Sequence, residues 1–84
     1  MSQDEMKSSF LDEAEIEELL RRTPILSEYW QSSSPLLIVR SRPQPEDPVY
    51  EIQLAFDLDD RLETWRWLWV DAWEGKIIRQ FPEA

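Results

Sequence analysis

The segment TWRWLWVDAWEGKIIRQF, residues 64–81, constrains the fold more than any other part of the chain. It contains four of the five tryptophans and the only glycine. Aromatic and β-branched side chains dominate residues 64–72, and such side chains favour a half-buried β-strand. Gly75 supplies a turn residue that accepts φ > 0. Residues 76–81 then form a second short strand, which Pro82 ends. The segment therefore predicts a β-hairpin.

A helix is predicted over residues 11–22. Asp12 is a suitable N-cap and Glu15 stands at the third helical position, which makes an acidic variant of the capping box. Glutamates crowd the first half and two arginines close the second, in agreement with the helix macrodipole. The apolar stripe of this helix consists of Ile16, Leu19 and Leu20.

Thr23 and Pro24 end this helix, because the residue before a proline avoids the α region. Thr23 is also a candidate N-cap for a short second helix, with Pro24 at its first position. The apolar face of that second helix would comprise Ile25, Leu26, Tyr29 and Trp30.

The rest of the chain predicts two further strands. They cover residues 36–42 and 49–57, and a loop with three prolines separates them. A polar connection over residues 58–63 leads to the tryptophan-rich strand. Consecutive strands pair with their neighbours by default, so the expected fold is α+β. Its N-terminal helix, with or without the second short helix, packs on one face of a four-stranded antiparallel sheet.

The chain is expected to contain one domain. A disordered N-terminal tail over residues 1–9 precedes a single domain over residues 10–84, because the tail has no hydrophobic periodicity.

Two motifs resemble a known family. VDAWEGKII, which begins at Val70, resembles the closing hairpin of PepSY domains, and PVYEIQLAF, which begins at Pro48, resembles the Y-E-V-x-V strand that precedes it. The match covers about residues 49–81 and is similar to the C-terminal part of the propeptides of thermolysin-like metalloproteases. The third strand is richer in tryptophan than the family pattern.

The resemblance implies which side of each strand is buried. Leu68, Val70 and Ala72 would face the helix. Asp71 would fix the hairpin by accepting hydrogen bonds from the backbone of residues 74–75. The opposite face would carry three tryptophans of the third strand, Trp65, Trp67 and Trp69. They would lie beside Glu51, Gln53 and Ala55.

A different arrangement of the tryptophans stays open. A register slip of one residue exchanges the buried and exposed sets of a strand. The three indoles would then lie in the core, or they would be covered by residues 1–9 or by Tyr29 and Trp30. If they are exposed, they form an apolar patch of the size that usually marks a contact surface.

Charge and composition exclude several kinds of site. The net charge of −9 disfavours binding to nucleic acids and to anionic membranes. The chain lacks Cys and His, which removes disulfides, thiolate metal sites and the usual general base. Four acids cluster in one turn but lack the spacing of a calcium loop. They are therefore expected to be solvated turn residues and not metal ligands; they are Asp57, Asp59, Asp60 and Glu63.

Catalysis and membrane insertion have no support in the sequence. No nucleophile-elbow, P-loop or dinucleotide-binding motif occurs. The chain is therefore not expected to be an enzyme or to need a cofactor. No apolar run approaches the ~18 residues that span a bilayer. The N-terminus lacks the apolar region of a signal peptide, so a cytoplasmic location is expected.

Three functions follow as hypotheses. The first is a protein-binding module that uses the three tryptophans with Glu51 and Gln53; the PepSY resemblance makes a peptidase the implied partner, and inhibition the implied effect. The second is an acidic decoy or immunity-type inhibitor that occupies a basic nucleic-acid-binding or nuclease site through acids such as Glu13, Glu17 and Glu18. The third is a self-associating subunit, for example a homodimer, that uses the same tryptophans.

Overall fold

The computed structural model describes residues 9–82 and has the expected α+β class. Its four strands form one antiparallel sheet in the order β1-β2-β3-β4. The predicted tail over residues 1–9 lies outside the described residues except for Ser9. The elements are α1 (Glu13–Arg21), a 3-10 helix (Pro24–Leu26), α2 (Ser27–Trp30), β1 (Pro35–Ser41), β2 (Val49–Leu58), β3 (Arg61–Asp71) and β4 (Ile77–Phe81).

Helix α1 begins with the capping box that its sequence predicts. Asp12 is extended, and its carboxylate accepts a hydrogen bond of 2.9 Å from the backbone N–H of Glu15. The Glu15 carboxylate in turn accepts one of 2.9 Å from the N–H of Asp12. Two N–H groups that would otherwise lack partners at the helix start are therefore satisfied.

The segment after α1 agrees with its prediction in part: Thr23 stands at the N-cap of a 3-10 helix that begins at Pro24, and the short helix α2 follows. The Thr23 side chain does not cap a second helix; its hydroxyl donates to the carbonyl of Leu19 at 2.9 Å. The Leu19 carbonyl accepts the N–H of Arg22 rather than its usual partner four residues on, so it can also accept the hydroxyl. The chain continues as a 3-10 turn, and Ile25, predicted to be buried, is 58% exposed.

The connection between β2 and β3 is shorter than predicted. Leu58 pairs with Arg61, so the turn consists only of Asp59 and Asp60. β3 thus begins at Arg61 rather than at Thr64. The first residues of β3 are exposed on both faces. They show no alternation of apolar and polar residues, so the sequence pattern did not indicate a strand there.

Buried side chains of the helical segment and of one sheet face form a single hydrophobic cluster. β2 contributes Tyr50, Ile52 and Leu54, and β3 contributes Leu68 and Val70. The remaining buried members, from the helices and from the turn after β3, are Ile16, Leu20, Leu26, Tyr29 and Ala72. Alternation along β2 assigns its even-numbered residues to this face.

Gly75 occupies the turn between β3 and β4 with φ = 75°. A Cβ atom built at this position would clash with the Cδ1 atom of Leu19 in α1. The left-handed backbone therefore requires glycine here, and any other side chain would also have to displace the end of the Leu19 side chain.

We expect Ile52→Ala or Leu68→Ala to reduce the free energy of unfolding by about 2–5 kcal/mol, because each side chain is fully buried in the cluster. Urea denaturation measures the loss. Leu62→Ala is the matched control, since Leu62 is exposed on β3. Equal effects at Leu62 and at both buried positions would contradict this assignment of the core.

Gly75→Val should destabilise the protein by more than about 1 kcal/mol, since a side chain at φ > 0 is strained. The same substitution in a Leu19→Ala background should cost less, because the clash is then relieved while the backbone strain remains. Thermal unfolding of the four proteins of this cycle separates the two effects. An unchanged melting temperature in Gly75→Val would refute both of them.

Candidate protein-binding face

The sheet face opposite the hydrophobic cluster is called the open face here. Strand pairing aligns its side chains in rows that run across the sheet. The apolar row crosses all four strands and consists of Ile38, Gln53, Trp67 and Phe81. The charged row lies next to it and consists of Ser41, Glu51, Trp69 and Arg79. A third row contains Leu36, Ala55 and Thr64.

Two of the three tryptophans of β3 lie on the open face. Trp67 pairs with Gln53 and Trp69 pairs with Glu51 in the neighbouring strand. Both indoles are half-buried, and neither belongs to the hydrophobic cluster. The apolar row continues to Phe81 on the edge strand β4, whose side chain is 60% exposed.

Trp65 is an exception, and the expectation that it shares this face is wrong. Leu54 pairs with Arg66 but Ala55 pairs with Thr64, so Trp65 is the extra residue of a β-bulge. Its ring stacks on Tyr29 with centroids 4.8 Å apart and planes inclined by 18°. It packs against the hydrophobic cluster. The bulge interrupts the alternation that the sequence suggests, so one indole of the three joins the core side.

The Gln53 side chain is buried within the open face and hydrogen-bonds to two of its neighbours. It is only 6% exposed. Its amide oxygen accepts a hydrogen bond of 2.8 Å from Nε of Arg40, and its amide nitrogen donates one of 2.5 Å to the hydroxyl of Thr64. A buried amide is tolerated because both of its ends are paired. Gln53 thus fixes its neighbours and offers a partner almost no surface.

A shallow groove of about 320 Å³ opens beside the charged row. It lies between the start of β2, the loop that precedes β2, and β4. Its polar lining includes the carboxylates of Asp47 and Glu51, and the ring of Trp69 forms an apolar wall. The guanidinium of Arg79 lies over that ring, 5.1 Å from its centroid. This is the distance range of a cation–π contact.

The acids of α1 are engaged within the chain. Glu17 pairs with Arg21 at 2.9 Å, Glu18 pairs with Arg22, and Glu13 pairs with Arg42. Exposed ion pairs of this kind stabilise the fold little, but they do neutralise the local charge. Glu13, Glu17 and Glu18 would supply the charge of an acidic decoy, but each of them already has a basic partner within the chain.

The turn residues Asp71 and Gly75 interact with one another. The backbone N–H of Glu74 donates to Oδ2 of Asp71 at 2.7 Å, and that of Gly75 donates to the Asp71 carbonyl at 2.8 Å. Asp71 N–H donates to the carbonyl of Lys76 at 2.8 Å. The Asp71 carboxylate therefore stabilises the hairpin turn in which it lies.

Tyr29 covers Trp65, as one of the alternatives open to the sequence predicted, and it also makes backbone hydrogen bonds that the sequence did not indicate. Its hydroxyl accepts a hydrogen bond of 3.1 Å from the N–H of Leu36 and lies 2.6 Å from the Leu36 carbonyl and 2.7 Å from the Ala55 carbonyl, either of which accepts its proton. Burial raises the pKa of this phenol, and hydrogen bonds to the two backbone groups oppose the rise in pKa. A single side chain thus connects α2 with both β1 and β2.

Tyr50 has a similar role at the other end of the cluster. Its hydroxyl donates to the carbonyl of Leu11 at 2.6 Å. Burial raises the pKa of Tyr50, and the nearby carboxylates of Glu13 and Asp12 raise it further.

Among residues 9–82, no three side chains of the metal-ligating types come together. No helix in this part of the chain has the length and apolarity needed to cross a membrane.

Comparison of the chain with protein-family models, with curated proteins and with solved structures finds no significant match. The resemblance of residues 49–81 to PepSY domains therefore stays a prediction.

We expect stability to fall at alkaline pH. The pKa of Tyr29 is raised in the folded state above its usual value of about 10, so the folded protein holds this proton more tightly than the unfolded chain does. The stabilisation is complete below about pH 10 and is lost as the pH rises through the folded pKa.

Urea denaturation between pH 8 and pH 11 measures this loss. Tyr29→Phe should lower stability at pH 8 by about 1–3 kcal/mol, because it leaves backbone groups unpaired, and should make the alkaline decline shallower. An equally steep decline in Tyr29→Phe would show that this phenol is not responsible.

Proposed function

We propose that this chain is a non-enzymatic protein-binding module whose binding surface is the open face. The observation that carries the proposal is the apolar row, in which Trp67 and Phe81 stand side by side on adjacent strands. Tryptophan is the residue type most enriched among interface residues that contribute strongly to binding. Trp69, in the next row, extends the same apolar surface.

The dimensions of the apolar row support this proposal. Neighbouring strands lie about 4.8 Å apart, so a row of four residues spans about 14 Å. With Leu36 in the third row, the open face has a width that admits a strand or a helix of a partner. Trp67, Phe81 and Trp69 form an apolar surface beside the charged groups of Glu51 and Arg79, and an apolar surface with a polar rim is typical of interaction sites.

The PepSY resemblance suggests what the partner is. PepSY domains in propeptides restrain the proteases they precede, so a peptidase is the partner class that we propose, with inhibition as the effect. We also propose the cytoplasm as the location of this protein.

The acidic decoy is the weaker candidate. The net charge of −9 favours it. However, the three acids of α1 that would supply the docking charge are all engaged in intramolecular ion pairs. A decoy would need to break these pairs or to use other acids.

The proposal predicts that Trp67→Ser leaves the fold intact and weakens partner binding by about 2 kcal/mol or more. A partner is first captured from native lysate with the unaltered protein and identified by mass spectrometry, and its dissociation constant is then measured by calorimetry. Circular dichroism and thermal unfolding check the fold.

Trp73→Ser is the matched control, because Trp73 is 45% exposed but lies in the turn after β3, against Phe10. Binding through the open face should also persist at about 0.5 M salt, since burial of apolar surface is barely screened. Equal affinities for Trp67→Ser and the unaltered protein would refute the proposal, and loss of binding at moderate salt would favour the decoy.

A further inference from the structure

We infer that the partner inserts a basic side chain, Lys or Arg, into the groove beside Trp69, where the carboxylates of Glu51 and Asp47 receive it. This inference rests on the proposed protein-binding function and names the chemistry of the partner. It concerns the charged row rather than the apolar row, so the two ideas can be tested on different residues.

The size of the groove fits one side chain. Its volume of about 320 Å³ stands at the lower end of the range for small-molecule pockets, which is about 300–1,000 Å³. A long side chain with an aliphatic stem and a charged end would place its stem on the indole and its charge at the carboxylates.

The ring of Trp69 already accepts a cation from this chain. Arg79 lies over it at 5.1 Å. Within residues 9–82 Arg79 has no ion pair with a carboxylate. The contact shows that a guanidinium can occupy this part of the open face. A partner cation would gain the ring and the carboxylates together.

The two carboxylates of the groove are available for such a partner. Neither the Asp47 nor the Glu51 side chain has an ion pair or a hydrogen bond among the described residues. The acids of α1 are, by contrast, paired. A basic partner attracted by the net charge of −9 would meet two unpaired carboxylates at the groove.

A second copy of the chain is a poorer occupant. Two copies would bring together two molecules of the same net charge, −9 each. The same net charge attracts a basic partner.

A capped hexaarginine peptide is the probe for the test, and a capped hexaglutamine peptide is its neutral control. Both are titrated into the ¹⁵N-labelled protein at about 0.15 M salt, with the indole N–H signals observed by NMR. Trp69→Phe assigns the signal of that indole. We expect hexaarginine to shift the Trp69 signal more than the other indole signals, and hexaglutamine to shift none.

Charge variants show whether the groove or the whole surface attracts the peptide. Glu51→Gln should weaken hexaarginine binding by about fivefold, and Asp47→Asn should act in the same direction. Arg79→Gln should strengthen it, because it removes a competing cation from the ring. Glu28→Gln, which removes the same charge from α2, should change the affinity by less than about twofold. Each variant's backbone NMR spectrum verifies its fold.

Several results would overturn the inference. Equal losses in Glu51→Gln and Glu28→Gln would show diffuse attraction, and weaker binding in Arg79→Gln would show that Arg79 does not compete. Indole shifts that depend on protein concentration, together with a doubled molar mass in light scattering, would identify a second copy as the occupant.

The test separates this inference from the proposed function. If hexaarginine fails to shift Trp69 while Trp67→Ser still weakens binding of the captured partner, the basic side chain is refuted and the protein-binding function stands. If Trp67→Ser has no effect on that partner, the proposed function itself is refuted.

Discussion

The bulge at Trp65 is the constraint on which both faces of the sheet depend. It inserts one residue between the pairs Leu54–Arg66 and Ala55–Thr64. Because alternation restarts at a bulge, Trp65 stacks on Tyr29 while Trp67 remains on the other face. A strand that carries an indole at every second position thereby supplies both a core aromatic and a surface for a partner. Without the bulge, all three indoles would lie on one face.

Tyr29 links this aromatic core to the rest of the sheet. Its ring contacts Trp65 and Phe56, and its hydroxyl reaches backbone groups of Leu36 and Ala55. The edge strand β1 is therefore tied to the helical segment through a side chain as well as to β2 through its ladder. This fixes Ile38, two residues further along β1, in the apolar row of the open face. The core side of the sheet thus positions residues on the side that we propose binds a partner.

The distribution of paired and unpaired charges gives the two sides different roles. Acids of α1 pair with an arginine of the same helix or with one in the loop after β1, so the charges on that surface are locally neutralised. On the open face, Glu51 and Arg79 flank Trp69 from adjacent strands without bonding to an opposite charge. A charge that no internal partner satisfies remains available for a partner molecule.

The sequence by itself determined the features that arise from neighbouring residues. The capping box at Asp12, the strand β2 with its buried even-numbered residues and the positive φ of Gly75 all depend on chemistry within a few positions. Tertiary structure alone decided the bulge, the early start of β3, the groove at Trp69 and the contacts of Tyr29. These depend on which residues of distant segments pair, and the register of a strand with both faces apolar is not encoded in its own pattern.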